Sequence, residues 1–141
     1  MTTLHEAVKD SEFGIVTALL EQGTDPNIRD GMGRAPLHYA TSLHIASSLI
    51  GAGAYMDARD CRDCTPLHYV AMLGRTDLAI LYLLFDAPID ASDAWGNTPL
   101  HYAAMNKHDE FAVLLITEGA NGRIKNNKGV SAEDIMNENC E

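Results

Sequence analysis

The sequence predicts an all-α fold, a solenoid of stacked helix-turn-helix units joined by short β-hairpin fingers, and three observations carry that prediction. The first is a tetrapeptide written four times: Thr2-Thr3-Leu4-His5, Ala35-Pro36-Leu37-His38, Thr65-Pro66-Leu67-His68 and Thr98-Pro99-Leu100-His101. Ser131-Ala132-Glu133-Asp134 is a worn fifth copy, and the successive intervals are 33, 30, 33 and 33 residues. The second is that other marks keep the same phase. Glycine-led turns open at Gly23, Gly53 and Gly119, and Asp30, Asp60, Asp93 and Asn126 each stand five residues before their tetrapeptide. The third is helical periodicity between the marks, as in Asp109–Glu118, where Phe111, Leu114 and Leu115 share one face.

Each element follows in order. Thr or Ser before Pro can cap a helix, its hydroxyl accepting an orphan N–H of the first turn. Pro then sits where its fixed φ is already helical and its missing donor is not needed. Helices are expected at about 3–10 and 13–22, at 66–73 and 76–85, and at 98–106 and 109–118. Gly119 ends the last of these, and the polar stretch 121–129 crosses over as an extended finger. The second unit is three residues short, and aligning Pro36 and Gly53 places the loss between Ala40 and Leu43. Its first helix is therefore expected to keep only about one and a half turns, tightly joined to a helix at 43–52. Glu133 and Asp134 replace Leu and His in the last copy, as suits a closing helix with one polar face. The units run about 1–29, 30–59, 60–92 and 93–125, with a cap at 126–141. One helix pair cannot cover its own apolar face, so the units must stack into a single domain.

A period of about 33 residues carrying T-P-L-H is the mark of the ankyrin repeat. The chain resembles that family over essentially its whole length, with the turns at 23–27, 53–57 and 119–123 standing where the family has Gly-Ala-Asp-x-Asn. The resemblance implies a protein-binding array without catalytic machinery. Ankyrin-type inhibitors of cyclin-dependent kinases are similar in having an abnormal first helix in their second unit, and Asp93-Ala94-Trp95-Gly96 resembles a finger of that group. An inhibitor of that kind is one alternative. Asn27 stands at the turn asparagine that oxygenases hydroxylate in some ankyrin proteins.

Composition narrows the partner. Twenty acids against ten bases give a net charge of −10, which disfavours nucleic acid and anionic membranes, since both need clustered positive charge. There is no apolar run of membrane-spanning length and no secretory signal at the N-terminus. Three cysteines do not make a disulfide framework, so reduced thiols in a cytoplasmic or nuclear protein are expected. With both ends abbreviated, the chain reads as a complete small monomer; a regulatory fragment of a larger protein is the alternative.

The chemistry-bearing residues point the same way. His5, His38, His68 and His101 fall one per unit, so stacking holds them about 10 Å apart, far beyond the ~2.1 Å zinc–nitrogen bond of a shared coordination sphere. In the family this histidine ties hairpin to helix. Cys61-Arg62-Asp63-Cys64 has the spacing of a metal half-site or redox pair, and the helix that follows could lower the pKa of Cys64. A metal- or redox-sensing protein using Cys61 and Cys64 is thus the rival from another class. No second pair follows at zinc-finger spacing, and no metal or other cofactor is expected. Gly31-Met32-Gly33 and Gly51-Ala52-Gly53 lack the lysine and strand–helix setting of a phosphate loop, and no serine sits in a nucleophile elbow. The chain is not expected to be an enzyme.

Finger tips and exposed first-helix positions line up along one concave surface of a stacked array. In family terms the finger positions include Met32, Arg34, Arg62, Trp95 and Asn97, and the helix positions include Met72, Leu73, Met105 and Asn106. These nine residues are the expected partner contacts. Trp, Met and Arg are enriched at interface cores, and Trp95 is the only tryptophan in the chain. Seven of the ten bases, Arg29, Arg34, Arg59, Arg62, Arg123, Lys125 and Lys128, lie on fingers, interspersed with aspartates.

Overall fold

The computed structural model describes residues 2–140. Nine helices are found among them: α1 (Leu4–Lys9), α2 (Phe13–Glu21), α3 (Pro36–Tyr39), α4 (Leu43–Gly51), α5 (Pro66–Leu73), α6 (Thr76–Leu84), α7 (Pro99–Met105), α8 (Asp109–Thr117) and α9 (Ala132–Asn139). They form two parallel rows. The first helices of successive pairs, α1, α3, α5 and α7, pack in sequence and end against α9. The second helices α2, α4, α6 and α8 pack in a row behind them. The core runs continuously between the rows, and Leu4, Leu37, Leu67 and Leu100, the leucines of the repeated tetrapeptide, are buried at equivalent depths. Among the described residues no helix is long and apolar enough to cross a membrane.

The fingers differ in one respect from the hairpins expected. They carry no strand ladder among the described residues, only a single antiparallel bridge between Lys125 and Ser131. Each finger is instead a tight turn built on one side chain. Asp60 Oδ1 accepts the N–H of Arg62 (2.9 Å) and of Cys64 (3.0 Å), and Asp93 Oδ1 does the same for Trp95 and Asn97. Asp30 and Asn126 repeat the arrangement with Met32 and Arg34, and with Lys128 and Val130. One backbone hydrogen bond then joins each tip to the next: Cys61 N–H to the Met32 carbonyl, Ala94 to Arg62, and Asn127 to Trp95, each at 2.9 Å. This explains the recurrence of an aspartate or asparagine five residues ahead of each tetrapeptide.

The short second unit closes as its spacing predicts, and more tightly. α3 is a single turn, and Ala40 already has extended backbone. The gap is spanned from the next unit: Arg75 Nη1 donates to the Thr41 carbonyl at 2.7 Å while its Nε and Nη2 hold Asp77. One unit further on, His108 Nε2 makes the equivalent bond to the Met72 carbonyl (3.0 Å).

Candidate functional site

The repeated histidines hold the face on which the finger tips stand. In His68, Nδ1 accepts the Thr65 N–H (3.0 Å) and the Thr65 hydroxyl (2.9 Å), while Nε2 donates to the Asn97 carbonyl in the next finger (2.9 Å). His101 does likewise with Thr98 and the Val130 carbonyl; His38 takes only the Ala35 N–H at Nδ1 and reaches the Cys64 carbonyl, and His5 reaches that of Arg34. An amide can only donate and a carbonyl can only accept, so the proton of the His38, His68 and His101 rings sits on Nε2. The threonine hydroxyl at 65 thus serves the histidine ring. In the last copy Asp134 stands where histidine would, and its carboxylate takes the Ser131 N–H (3.0 Å).

A second set of residues, which the sequence reading passed over, lies beside the histidines. Tyr39, Tyr69 and Tyr102 follow the repeated Leu-His, and each hydroxyl donates to the finger aspartate nine residues earlier, Asp30, Asp60 and Asp93. Each ring also meets the preceding unit's histidine edge to face, at 5.9, 5.5 and 5.8 Å. The signal was present as Leu-His-Tyr in three units. Burial opposes ionisation of Asp60, but the Tyr69 hydroxyl and the N–H groups of Cys64 and Arg62 outweigh it, and the carboxyl sits below its ordinary value.

This framework sorts the nine expected contacts. Trp95 is half exposed at its finger tip, with the Arg62 guanidinium 6.0 Å from its ring. Trp95, Asn97 and Met105 line one groove of about 370 Å³ together with Asn126, Asn127 and Lys128. Met105 and Leu73 are exposed on the adjoining first helices. Asn106 is exposed too, its Nδ2 donating to the Met72 carbonyl (3.2 Å). Met32 is exposed, but it stands two fingers away and does not line the groove. Two residues are committed elsewhere. Asn97 is buried, with its Oδ1 accepting from Asn126 Nδ2 at 2.9 Å. The side chain of Arg34 is largely enclosed; its guanidinium lies over the rings of Tyr39 and Tyr69 (5.5 and 5.1 Å) and its Nε reaches Asp60 at 3.4 Å. Met72 is half-buried.

The cysteine pair is corrected on one point. Cys61 is exposed but Cys64 is buried, its Sγ 3.7 Å from Asp93 Oδ2. Burial, reinforced by Asp60 and Asp93, pushes the Cys64 thiol up to about 12, the opposite of the lowering expected from the helix start. Among the described residues no three His, Cys, Asp or Glu side chains converge as metal ligands would.

Two family models match the chain. The family described as "Ankyrin repeats (3 copies)" matches residues 37–126, and "Ankyrin repeat" matches residues 1–31. The chain is 37% identical to NF-kappa-B inhibitor alpha of Rattus norvegicus over 76 residues, which cover 54% of this chain and 22% of that protein. It is 31% identical to a putative ankyrin repeat protein of Rickettsia felis over 97 residues, 61% of this chain and 43% of the relative. It is 38% identical to neurogenic locus notch homolog protein 1 of Xenopus tropicalis over 77 residues, 52% of this chain and 3% of that protein. The chain thus spans less than half the length of each of these relatives. Repeats of this kind are protein–protein interaction modules and typically non-catalytic. With matching repeats across most of its length, the chain belongs to the ankyrin-repeat family.

Proposed function

We propose that this chain is a cytoplasmic or nuclear adaptor or inhibitor, a monomer that acts by binding and not by catalysis, and that its partner docks on the concave finger and first-helix surface. The observation that carries the reading is Trp95. A tryptophan half exposed at a finger tip, over an open groove and under an arginine, has the make-up of an interface hot spot. Met105, Leu73 and Asn106 on the adjoining helices, Arg62 on the neighbouring finger and Met32 further along complete the contacting set. Met72, half-buried on α5, belongs to the contacting set as well, while Arg34 and Asn97 act within the fold. Likeness to NF-kappa-B inhibitor alpha supports inhibition as the form the binding takes.

The test is capture from source-cell lysate with the unmodified chain and a Trp95→Ala, Met105→Ala variant whose melting temperature is unchanged. Truncating a hot spot costs about 2 kcal/mol or more, so the variant is expected to lose a partner that the unmodified chain retains. Equal capture by both would move the binding site away from this groove.

A further inference from the structure

The row of second helices, opposite the fingers, departs from repeat to repeat in a way that the concave site does not explain. Stepping by 30, 33 and 33 residues, the outward positions are Thr17, Ser47, Ile80 and Val113; one turn later they are Glu21, Gly51, Leu84 and Thr117. The first two units place small or polar residues there. In the last two, Ile80 is 49% exposed, Leu84 73% and Val113 62%, with Phe85 exposed beside them. α6 is apolar on both sides: Leu78, Ala79 and Tyr82 are buried inward while Ile80 and Leu84 face out. A helix on the surface ordinarily keeps a polar outer face, and one that is apolar all round has a second partner. Between α6 and α8 a cleft of about 110 Å³ is lined by Ile80, Leu83, Leu84, Leu114 and Glu118. A cavity of about 150 Å³ holds a benzene ring, so this cleft suits one branched aliphatic side chain.

The charge around the patch selects the occupant. Lys107 is the only Lys or Arg between residues 76 and 122. Asp77 and Glu110 lie one turn before Ile80 and Val113 on the same helix faces, and Asp86 and Glu118 stand at the other end. Arg75 neutralises Asp77, but among the described residues Asp86, Glu110 and Glu118 have no ion-pair partner. An apolar cleft with an acidic rim repels a second copy of this chain, whose net charge is also −10 and whose rim would meet its own acids. An anionic membrane is repelled for the same reason.

We infer that the back of the α6–α8 pair docks an amphipathic helix of a partner protein, aliphatic along one stripe and flanked by Lys or Arg. The site lies on the row opposite Trp95, so it stands or falls separately from the concave one.

The probe is a short fluorescein-labelled peptide of Leu and Lys, with Leu at helical i, i+3, i+4 spacing, against the same composition shuffled, read by fluorescence anisotropy. The unmodified chain is expected to prefer the ordered peptide, and an Ile80→Gln, Leu84→Gln variant to lose about tenfold in affinity for it, as two fewer aliphatic contacts require. Both positions are exposed, so the variant keeps the core, which its melting temperature verifies. Glu118→Gln is expected to weaken binding severalfold and reduce its salt dependence, whereas Trp95→Ala leaves it unchanged. No preference for the ordered peptide, undiminished binding by the Ile80, Leu84 variant, or loss on Trp95→Ala would each overturn the assignment. So would sedimentation showing a dimer that Leu84→Gln dissociates, which would make a second copy the occupant.

Discussion

Two of the repeated histidines, His38 and His68, are held in one protonation state by their neighbours, and that has a consequence for pH. A second ring proton on His38 or His68 would have to enter at Nδ1, where an amide N–H already points. Burial, the larger cause, holds both below the ordinary value of 6.5, against the opposing pull of the carbonyls they contact. The unfolded chain takes up protons near pH 6.5 that the folded chain refuses. The stability these two residues contribute is therefore complete above that pH and is lost as pH falls below it. The melting temperature is expected to drop between about pH 7.5 and about pH 5.5, and a flat profile would contradict the assigned ring state. Tyr82 is the converse case, a buried side chain in α6 whose hydroxyl finds no partner among the described residues. Burial alone raises its pKa, because nothing nearby stabilises either form. An unpaired buried hydroxyl costs about 1–3 kcal/mol, so Tyr82→Phe is expected to stabilise by about 1 kcal/mol, read as a higher urea midpoint.

At the scale of the element, the turns between paired helices decide how units lock together. Gly74 closes α5 at a φ of +72°, and a Cβ there would come within 2.6 Å of the His108 ring. That ring must keep its place to reach the Met72 carbonyl. Gly74→Ala thus meets both a left-handed backbone, worth about 1–2 kcal/mol, and a crowded neighbour. A loss of about 2 kcal/mol or more is expected in urea unfolding followed by Trp95 fluorescence. Much of this scale was legible beforehand. The three-residue deficit between Ala40 and Leu43 located the short α3, since a helix cannot run where the chain lacks residues to make it. The bridge across the gap was not legible, because Arg75 reaches Thr41 over 34 residues and only stacking brings them together. The fingers were placed correctly in sequence, but among the described residues their expected ladder is absent, because an aspartate side chain satisfies the amides that strands would otherwise pair.

For the whole molecule, a row of units touching only their neighbours makes stability local. α5 and α7 are flanked on both sides by other first helices, whereas α1 has a first-helix neighbour on one side only and α9 packs against α7 alone among the first helices. In such arrays stability is roughly a sum of unit and nearest-neighbour terms, so ends open before the middle. Amides of α1 and α9 are expected to exchange with deuterium faster than those of α5 and α7. Equal protection throughout would mean that the chain unfolds as one cooperative block.

The sequence by itself determined the period, the number of helix pairs, the short second unit and the structural use of the repeated histidines. Those follow from interactions within about one repeat, where a cap, a proline at the first helical position and a glycine after the last act on their own backbone. Only the tertiary structure decided which side chains stay free to bind. Arg34 and Asn97, each four residues after its finger aspartate, are enclosed, whereas Met32 and Trp95, two residues after it, stand half in solvent. Asn97 reads as a tip residue and is buried against Asn126, 29 residues on, and Cys64 reads as a reactive thiol and is buried beside Asp93. Burial at a finger depends on the unit stacked next to it, which covers the position four residues after the turn aspartate or asparagine and leaves the position two residues after it open.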